Sequence, residues 1–229
     1  MQKEPRTPQQ SRSIATKEQL FQAALELFSE DGYHRSTSKK IAARAGIAVG
    51  SFYAYYRNKK DVFLEVIQHY YGRILNEVFS EFHSLPDNRS TGWQNSPTAG
   101  SEEIQVKSWG QLNGPALVSF IIRRLYEAHD ISPQLHREIT GMRYTDPEVD
   151  RLISEEEQKT VALVYSLLTS FRPLPAVEDL EAAAHLIHRA SEEVIHSIKI
   201  FGSPIEAERV LTELNTMLAG YLFGEKPNF

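Results

Sequence analysis

The sequence predicts an all-α protein in which three short N-terminal helices join, through a long fourth helix, a larger C-terminal helical body. Three observations carry this. Apolar residues recur at i, i+3, i+4 and i+7 in segment after segment. Helix start and stop signals (Thr, Asn, Asp and Ser caps, Asp-Pro, Ser-Pro, and closing glycines) punctuate those segments. No alternating run of β-branched residues appears anywhere in the 229 residues.

Residues 1–15, with Pro5, Pro8 and a Gln/Ser cluster, read as a flexible arm. Thr16-Lys17-Glu18-Gln19 has the form of a capping box, and Leu20, Ala23, Ala24, Leu27 and Phe28 form the stripe of a first helix. Gly32 is placed to end it. Thr37 or Ser38 can cap a short second helix with Ile41, Ala42 and Ala45 inward, stopped by Gly46, and a third is expected at about 49–56. Asn58 is the expected N-cap of the fourth, with Asp61 suited to its positive end and a stripe from Val62 to Phe82. The pattern lapses between 85 and 114, read as a mobile insertion. Helices are then expected at about 115–129, 133–142, 147–171 and 177–201. A last one should open at Ser203-Pro204-Ile205-Glu206 and run to about Phe223.

The composition narrows the function classes. There is no cysteine, hence no disulfide and no thiolate metal site. No apolar run reaches the ~20 residues of a membrane span, and the N-terminus has no signal-peptide core, so a cytoplasmic protein without membrane contact is expected. The net charge of −5 hides an asymmetry: residues 1–60 carry 11 Lys/Arg against 5 Asp/Glu, whereas the remainder is strongly acidic. A basic head on an acidic body suits a protein whose head alone meets a polyanion.

Two short helices joined by a tight turn holding Gly46, braced by a longer first helix, have the outline of a helix-turn-helix. Four of the five residues Phe52–Tyr56 are aromatic, and Arg57, Lys59 and Lys60 follow. On a helical wheel Phe52 and Tyr56 lie within about 40° of each other, with Val49 nearby, toward the first helix's stripe. Gly50, Ser51 and Ala54 occupy the opposite side, with Tyr53 and Tyr55 at the borders. Small residues let a helix backbone approach base edges in a major groove, while tyrosine hydroxyls and ammonium groups reach phosphates.

The segment TKEQLFQAALELFSEDGYHRSTSKKIAARAGIAVGSFYAYYRNKKDVFLEVI, about residues 16–67, resembles the N-terminal domain of the tetracycline-repressor (TetR) family of bacterial regulators. The matching features are A-A-L-E-L-F at 23–28, Gly32-Tyr33, Thr37, Ile41-Ala42, Ala45-Gly46, Gly50, Phe52-Tyr53, Tyr56 and Lys59. The resemblance implies that Thr37, Tyr53, Tyr55 and Lys59 meet the DNA backbone, and that Val49, Gly50, Ser51 and Ala54 meet bases. Lys60 joins the phosphate group by position. One departure is Ala48, where the family pattern commonly has a Ser cap; losing it weakens a helix by ~1 kcal/mol. Arg6 and Arg12 in the arm can reach a neighbouring minor groove, and a plain disordered tail explains the arm equally well.

For the body, the resemblance implies dimerisation and an effector pocket. Independently, Ile187, Val194, Ile198 and Phe201, with Leu211, Leu214, Leu218 and Tyr221 on the last helix, offer an apolar four-helix interface between two copies, the alternative being that these faces only close the core of a single chain. Phe120, Arg123, Tyr126, His129, Met142, Tyr144 and Tyr165 (with Arg124) are candidate pocket residues, which core packing explains equally well. His185, His188, Glu192 and His196 share one side of a helix and could ligate zinc. Arg189 and Lys199 stand in the same stripe, so it is read as a solvated face and no metal or cofactor is assigned.

The reading is a DNA-binding domain at 16–62 and an effector-binding and dimerisation domain at 63–229. The function expected is a homodimeric repressor released from a palindromic double-stranded DNA operator by an unidentified small molecule. The alternatives are a regulator needing no small molecule and a helical metal enzyme using the histidine stripe. Against the enzyme, no nucleophile–base pair or phosphate loop is present.

Overall fold

The computed structural model describes residues 11–79, 114–129, 132–170 and 175–224, and among these there is no strand. The helices are α1 (Ser11–Glu30), α2 (Ser38–Arg44), α3 (Val49–Phe52), α4 (Lys59–Phe79) and α5 (Gly114–Ala128). They continue with α6 (Pro133–Arg143), α7 (Pro147–Ser170), α8 (Leu180–His196), a π-helical end (Ser197–Gly202) and α9 (Ala207–Phe223). Residues 1–10 of the expected arm and all but the last residue of the 85–114 insertion lie outside the described residues.

Four boundaries differ from expectation, each for a local reason. α1 begins at Ser11, not at Thr16, because the Thr16 hydroxyl donates back to the Arg12 carbonyl (2.9 Å) inside the helix instead of capping it. The α-helical part of α3 stops at Phe52: the amides of Ala54 and Tyr55 bond to carbonyls three residues back, which tightens the last turn. α8 widens into π-helix at Ser197 and ends at Gly202, whose φ of +80° suits glycine. α9 opens at Ala207 because the Ser203 hydroxyl serves only the Ile205 amide (3.1 Å).

The caps elsewhere follow the sequence. Thr37 Oγ1 accepts from the Lys40 amide (3.1 Å), and Asn58 Oδ1 from the Asp61 amide (3.0 Å). Asp146 Oδ1 accepts from the Glu148 amide (2.9 Å) ahead of Pro147. Gly46, at φ +68°, makes the turn between α2 and α3 that a side chain would strain.

The stripe of α1 is buried as expected, with Leu20, Ala24 and Phe28 fully enclosed. Phe28 meets Phe63 of α4 edge-to-face, ring centres 5.2 Å apart, and Tyr33 closes the same group. Ile41, Ala42, Phe52 and Tyr56 seat α2 and α3 on this core. The same cluster then runs along α4 through Val66, Ile67, Tyr70 and Ile74. It reaches Leu135, Ile139 and Met142 of α6 and Val149 and Ile153 of α7, so it crosses the expected domain boundary without a break. A second cluster joins α5, α8 and α9 with the end of α7.

That second cluster corrects part of the expected dimer face. Leu211, Leu214 and Leu218 are buried within the single chain, where α9 packs on α5, and are not available to a partner. An apolar stripe on α9 serves whichever neighbour is nearer, and here that is its own chain.

Phe28→Ala removes a fully buried ring and should destabilise the chain by about 3–5 kcal/mol, read from the urea midpoint. Tyr53→Ala, on a 54% exposed ring, should cost no more than ~0.5 kcal/mol.

Candidate nucleic-acid interface and the sites in the body

The aromatic stretch at 52–56 divides as the wheel predicts, but Val49, which the wheel sets near Phe52 and Tyr56, is turned out to solvent. Phe52 and Tyr56 are 0% and 3% exposed, while Val49, Gly50, Ser51, Tyr53 and Ala54 are on the surface. A Cβ added at Gly50 meets no atom of this chain within 4 Å, so nothing inside the protein requires glycine there. The smallness faces outward. Thr37 is also exposed, at the start of α2, while Tyr55 is half-buried with its hydroxyl 3.2 Å from that of Ser13. Ala48 is the N-cap of α3 and gives it no side-chain hydrogen bond, so this helix is held by Phe52 and Tyr56 beneath it.

The two lysines expected at phosphates have partners within the chain. Lys59 Nζ donates to the carbonyls of Tyr33 (2.6 Å) and Ser36 (3.0 Å) and lies 3.9 Å from the Tyr33 ring centre. Burial there pushes its pKa down, with Glu138 pulling the other way. Its evident duty is to satisfy the carbonyls of the α1–α2 connection. Lys60 bridges Asp146 (2.7 Å) and Glu148 (2.8 Å) at the start of α7, tying α4 to the body. Other head cations are paired too: Arg44 with Glu26 and Glu30, Arg57 with Asp61, and Lys40 with Asp31. The basic excess of the head is therefore partly neutralised locally, and the small-residue face of α3 is its most distinctive surface.

In the body, the seven candidate pocket residues do not converge. Met142 is in the main core, Phe120 is half-buried on α5, and Arg123 is exposed and paired with Glu208 of α9. Tyr126 lies under Lys199, 4.0 Å from its ring centre. Tyr165 is on the rim of an open cleft of about 660 Å³ between α7 and α8 that also holds His185 and His188. Tyr144, 83% exposed, lines a more enclosed cavity of about 330 Å³ among α4, α6, α7 and α8. That cavity is walled by Tyr71, His136, Arg143, Glu157, Arg189, Glu192 and His196. Arg143 clasps Glu157 with both guanidinium nitrogens (2.5 and 2.9 Å), and Arg189 reaches the same carboxylate at 3.0 Å. Those three were not singled out as pocket residues, because charged side chains scattered over three helices give no periodic signal.

The histidine stripe of α8 is not a solvated face. His185 is exposed, but His188 is buried, with its pKa lowered by burial. Glu192 and His196 turn toward α5, where they meet His129. His129 Nε2 is 3.5 Å and His196 Nε2 3.1 Å from Glu192 Oε2. Burial opposes charge on Glu192, yet the two imidazoles hold its pKa well below the usual carboxylate range. Burial likewise opposes charge on His129, and Glu192 outweighs it, raising the pKa above the ordinary histidine value. His136, whose Nδ1 pairs with the Tyr70 hydroxyl, is pushed down to about 3 by burial and by His196 and His129 nearby.

Residues 16–66 match the model of the bacterial regulatory proteins of the tetR family, and residues 115–222 that of the tetracyclin repressor-like C-terminal domain. Over 60 residues the chain is 37% identical to the fatty acid metabolism regulator protein of Bacillus subtilis, a match covering 26% of this chain and 31% of that protein. The fatty acid degradation regulator FadR of Bacillus halodurans superposes over 93% of this chain and 96% of its own, with a TM-score of 0.59 and 18% identity. The transcriptional regulator FadR of Bacillus subtilis, solved with stearoyl-CoA, does so over 91% and 99%, with a TM-score of 0.60 and 17% identity. At such identities the solved structures speak for the fold alone. The two family models together span most of the chain, and the chain belongs to the TetR family of DNA-binding transcriptional regulators, which are not enzymes.

Proposed function

We propose that the protein is a homodimeric repressor that grips a palindromic operator with α2 and α3 of each copy and releases it when a small molecule enters the body. The observation that carries the first half is the outward face of α3. Gly50, Ser51 and Ala54 are exposed around a glycine that no internal contact requires, with Tyr53 at the rim. A helix backbone can approach base edges only across such a face. Thr37 and Tyr53, with Tyr55 after a small movement, are placed to bond phosphates and fix the register. Lys59 and Lys60 support the head from within, and reach phosphate only by leaving their present partners.

Dimerisation is supported by what the chain leaves uncovered. Leu186, Phe201, Ile205, Met217 and Tyr221 are large apolar residues between 43% and 63% exposed, all on α8, its π-helical end, α9 or the link between them. Met217 and Tyr221 are one turn apart beside Gly220, where an added Cβ would meet nothing in the chain. With Phe201 and Tyr221 retained, this outer surface replaces the expected leucine stripe. A two-fold pair of heads requires half-sites about one DNA turn apart.

For the effector, the cavity at the end of α6 is the favoured site. Its walls hold two arginines and three glutamates, which suits a compact charged molecule better than a long acyl chain. Arg143 and Tyr144 line it, and Asp146, two residues on, holds Lys60 at the head of α4. A ligand that moves the end of α6 thereby moves the base of α4 and changes the relation between the two heads. It favours release to the extent that it binds the non-operator arrangement more tightly. Such a regulator acts where DNA is, in the cytoplasm of a bacterial cell; among the described residues no helix is long and apolar enough to cross a membrane.

Gly50→Leu should leave the circular dichroism spectrum and thermal midpoint unchanged while weakening binding to a selected operator by more than ~100-fold, or ~2.7 kcal/mol; retained affinity in fluorescence anisotropy would remove α3 from the groove. Tyr53→Phe should weaken specific and non-specific duplexes by the same factor without changing the salt slope, since it removes no cation. Lys59→Ala should lower stability in urea by about 1–3 kcal/mol through the loss of two charged hydrogen bonds. Met217→Glu, alone or with Phe201→Glu, should turn the dimer into a folded monomer in sedimentation velocity, and a wild-type monomer would contradict this part of the reading.

A further inference from the structure

We propose that His129, Glu192 and His196 form a binding site for one divalent transition-metal ion of the zinc class, with a further coordination position open to the polar cavity. The site joins α5 to α8, and its two halves are more than sixty residues apart in sequence.

The geometry is the first support. His129 Nε2, a Glu192 oxygen and His196 Nε2 all lie within 4.8 Å of one another, and the two edges to Glu192 Oε2 measure 3.5 and 3.1 Å. Ligands about 2.0–2.1 Å from a tetrahedral zinc stand roughly 3.3 Å apart. The contacts are close enough for ion pairs, yet neither His129 Nε2 nor His196 Nε2 makes a directed hydrogen bond, and both atoms are buried. The side chain of His129 is only 1% exposed. Buried polar atoms without partners are uncommon in native proteins and call for an occupant.

The second support is the orientation of His129. Its Nδ1 lies 2.7 Å from the Leu125 carbonyl oxygen. A carbonyl only accepts, so Nδ1 carries the hydrogen and the neutral ring turns the lone pair of Nε2 toward Glu192. Lone pairs of nitrogen and carboxylate then face each other in a dry space, which is stable only with a metal ion or a proton between them. Donation of the remote ring nitrogen to a backbone carbonyl is also how metal-bound histidines are commonly held. His136 does not join the set, because it is not among the side chains whose ligand atoms all lie within 4.8 Å of one another.

The donor set identifies the class. Two imidazoles and one carboxylate suit zinc, cobalt or nickel, and are poor for magnesium or calcium, which prefer oxygen ligands. Three protein ligands leave a position unfilled. Glu192 and His196 line the cavity of about 330 Å³, so water or an acidic group of a small molecule can reach the ion from there. Occupancy would fix the distance from α8 to α5, which packs directly on α4, the helix that carries the head.

The test uses the full chain without an affinity tag, stripped with chelator and dialysed. Calorimetric titration with Zn²⁺ should give one ion per chain, and Co²⁺ should develop visible d–d bands of low coordination number that Zn²⁺ abolishes and excess Mg²⁺ does not. His196→Ala and the near-isosteric Glu192→Gln should each weaken Zn²⁺ binding by more than about 100-fold, the upper end for loss of an outer-shell partner. His185→Ala, exposed on the same helix, should bind as the parent does. Circular dichroism and melting curves of the metal-free variants verify folding, with Glu192→Gln the more conservative of the two. Absence of one-to-one binding by the parent chain, binding that survives both folded variants, or equal loss in His185→Ala would each overturn the proposal. The first of these would leave the three side chains as a proton-bridged ion pair.

Discussion

Phe63 and Ile67 of α4 pack with the core of α1, and Tyr70 and Ile74, one and two turns further on, share the same cluster with residues of α6 and α7. The buried face of α4 serves the head at one end and the body further along. Its burial is continuous from the helix-turn-helix into the body, and the polar ties follow the same seam. Lys17 pairs with Glu65, Lys60 with Asp146 and Glu148, and the Ser132 hydroxyl donates to the Ser29 carbonyl (3.0 Å). A close-packed interior transmits displacement instead of absorbing it. The position of α3 and the state of the α6–α7 turn are therefore parts of one mechanical unit.

The head itself works by dividing one short helix. Phe52 and Tyr56 bind α3 to the core while Gly50, Ser51 and Ala54 keep the opposite side low. Ala48 gives the helix no cap, so its order rests on those two buried rings and on the amide bonds of the final turn. An uncapped helix of four residues is marginal by itself. Its shape is imposed by packing beneath it and becomes useful because nothing projects above it.

Much of this was legible in the sequence because the governing contacts are local or periodic. The α1 stripe, the Thr37 and Asn58 caps, the turn at Gly46 and the split face of α3 depend on residues within a few positions of one another. Contacts between distant segments were not legible. The leucine stripe of α9 marks burial but does not say whether the neighbour is α5 or a second chain. Lys59 and Lys60 carry charge beside α3, yet tertiary structure gives them Tyr33, Ser36, Asp146 and Glu148 as partners. The α8 histidines read as a solvated face in the sequence, because His129, just past the end of α5, is far from Glu192 along the chain. The Thr16 box failed differently: helix continuing upstream turned a capping residue into an interior one.

In the function proposed, two copies of the outward face of α3 read DNA as a symmetric pair. The most direct measurement is selection of bound sequences from random duplex DNA with the purified full chain. The account predicts enrichment of a dyad whose half-sites are centred about one helical turn, roughly 10 bp, apart. Enrichment of a single motif without two-fold symmetry, or no enrichment by a chain that binds the duplex pool, would contradict it.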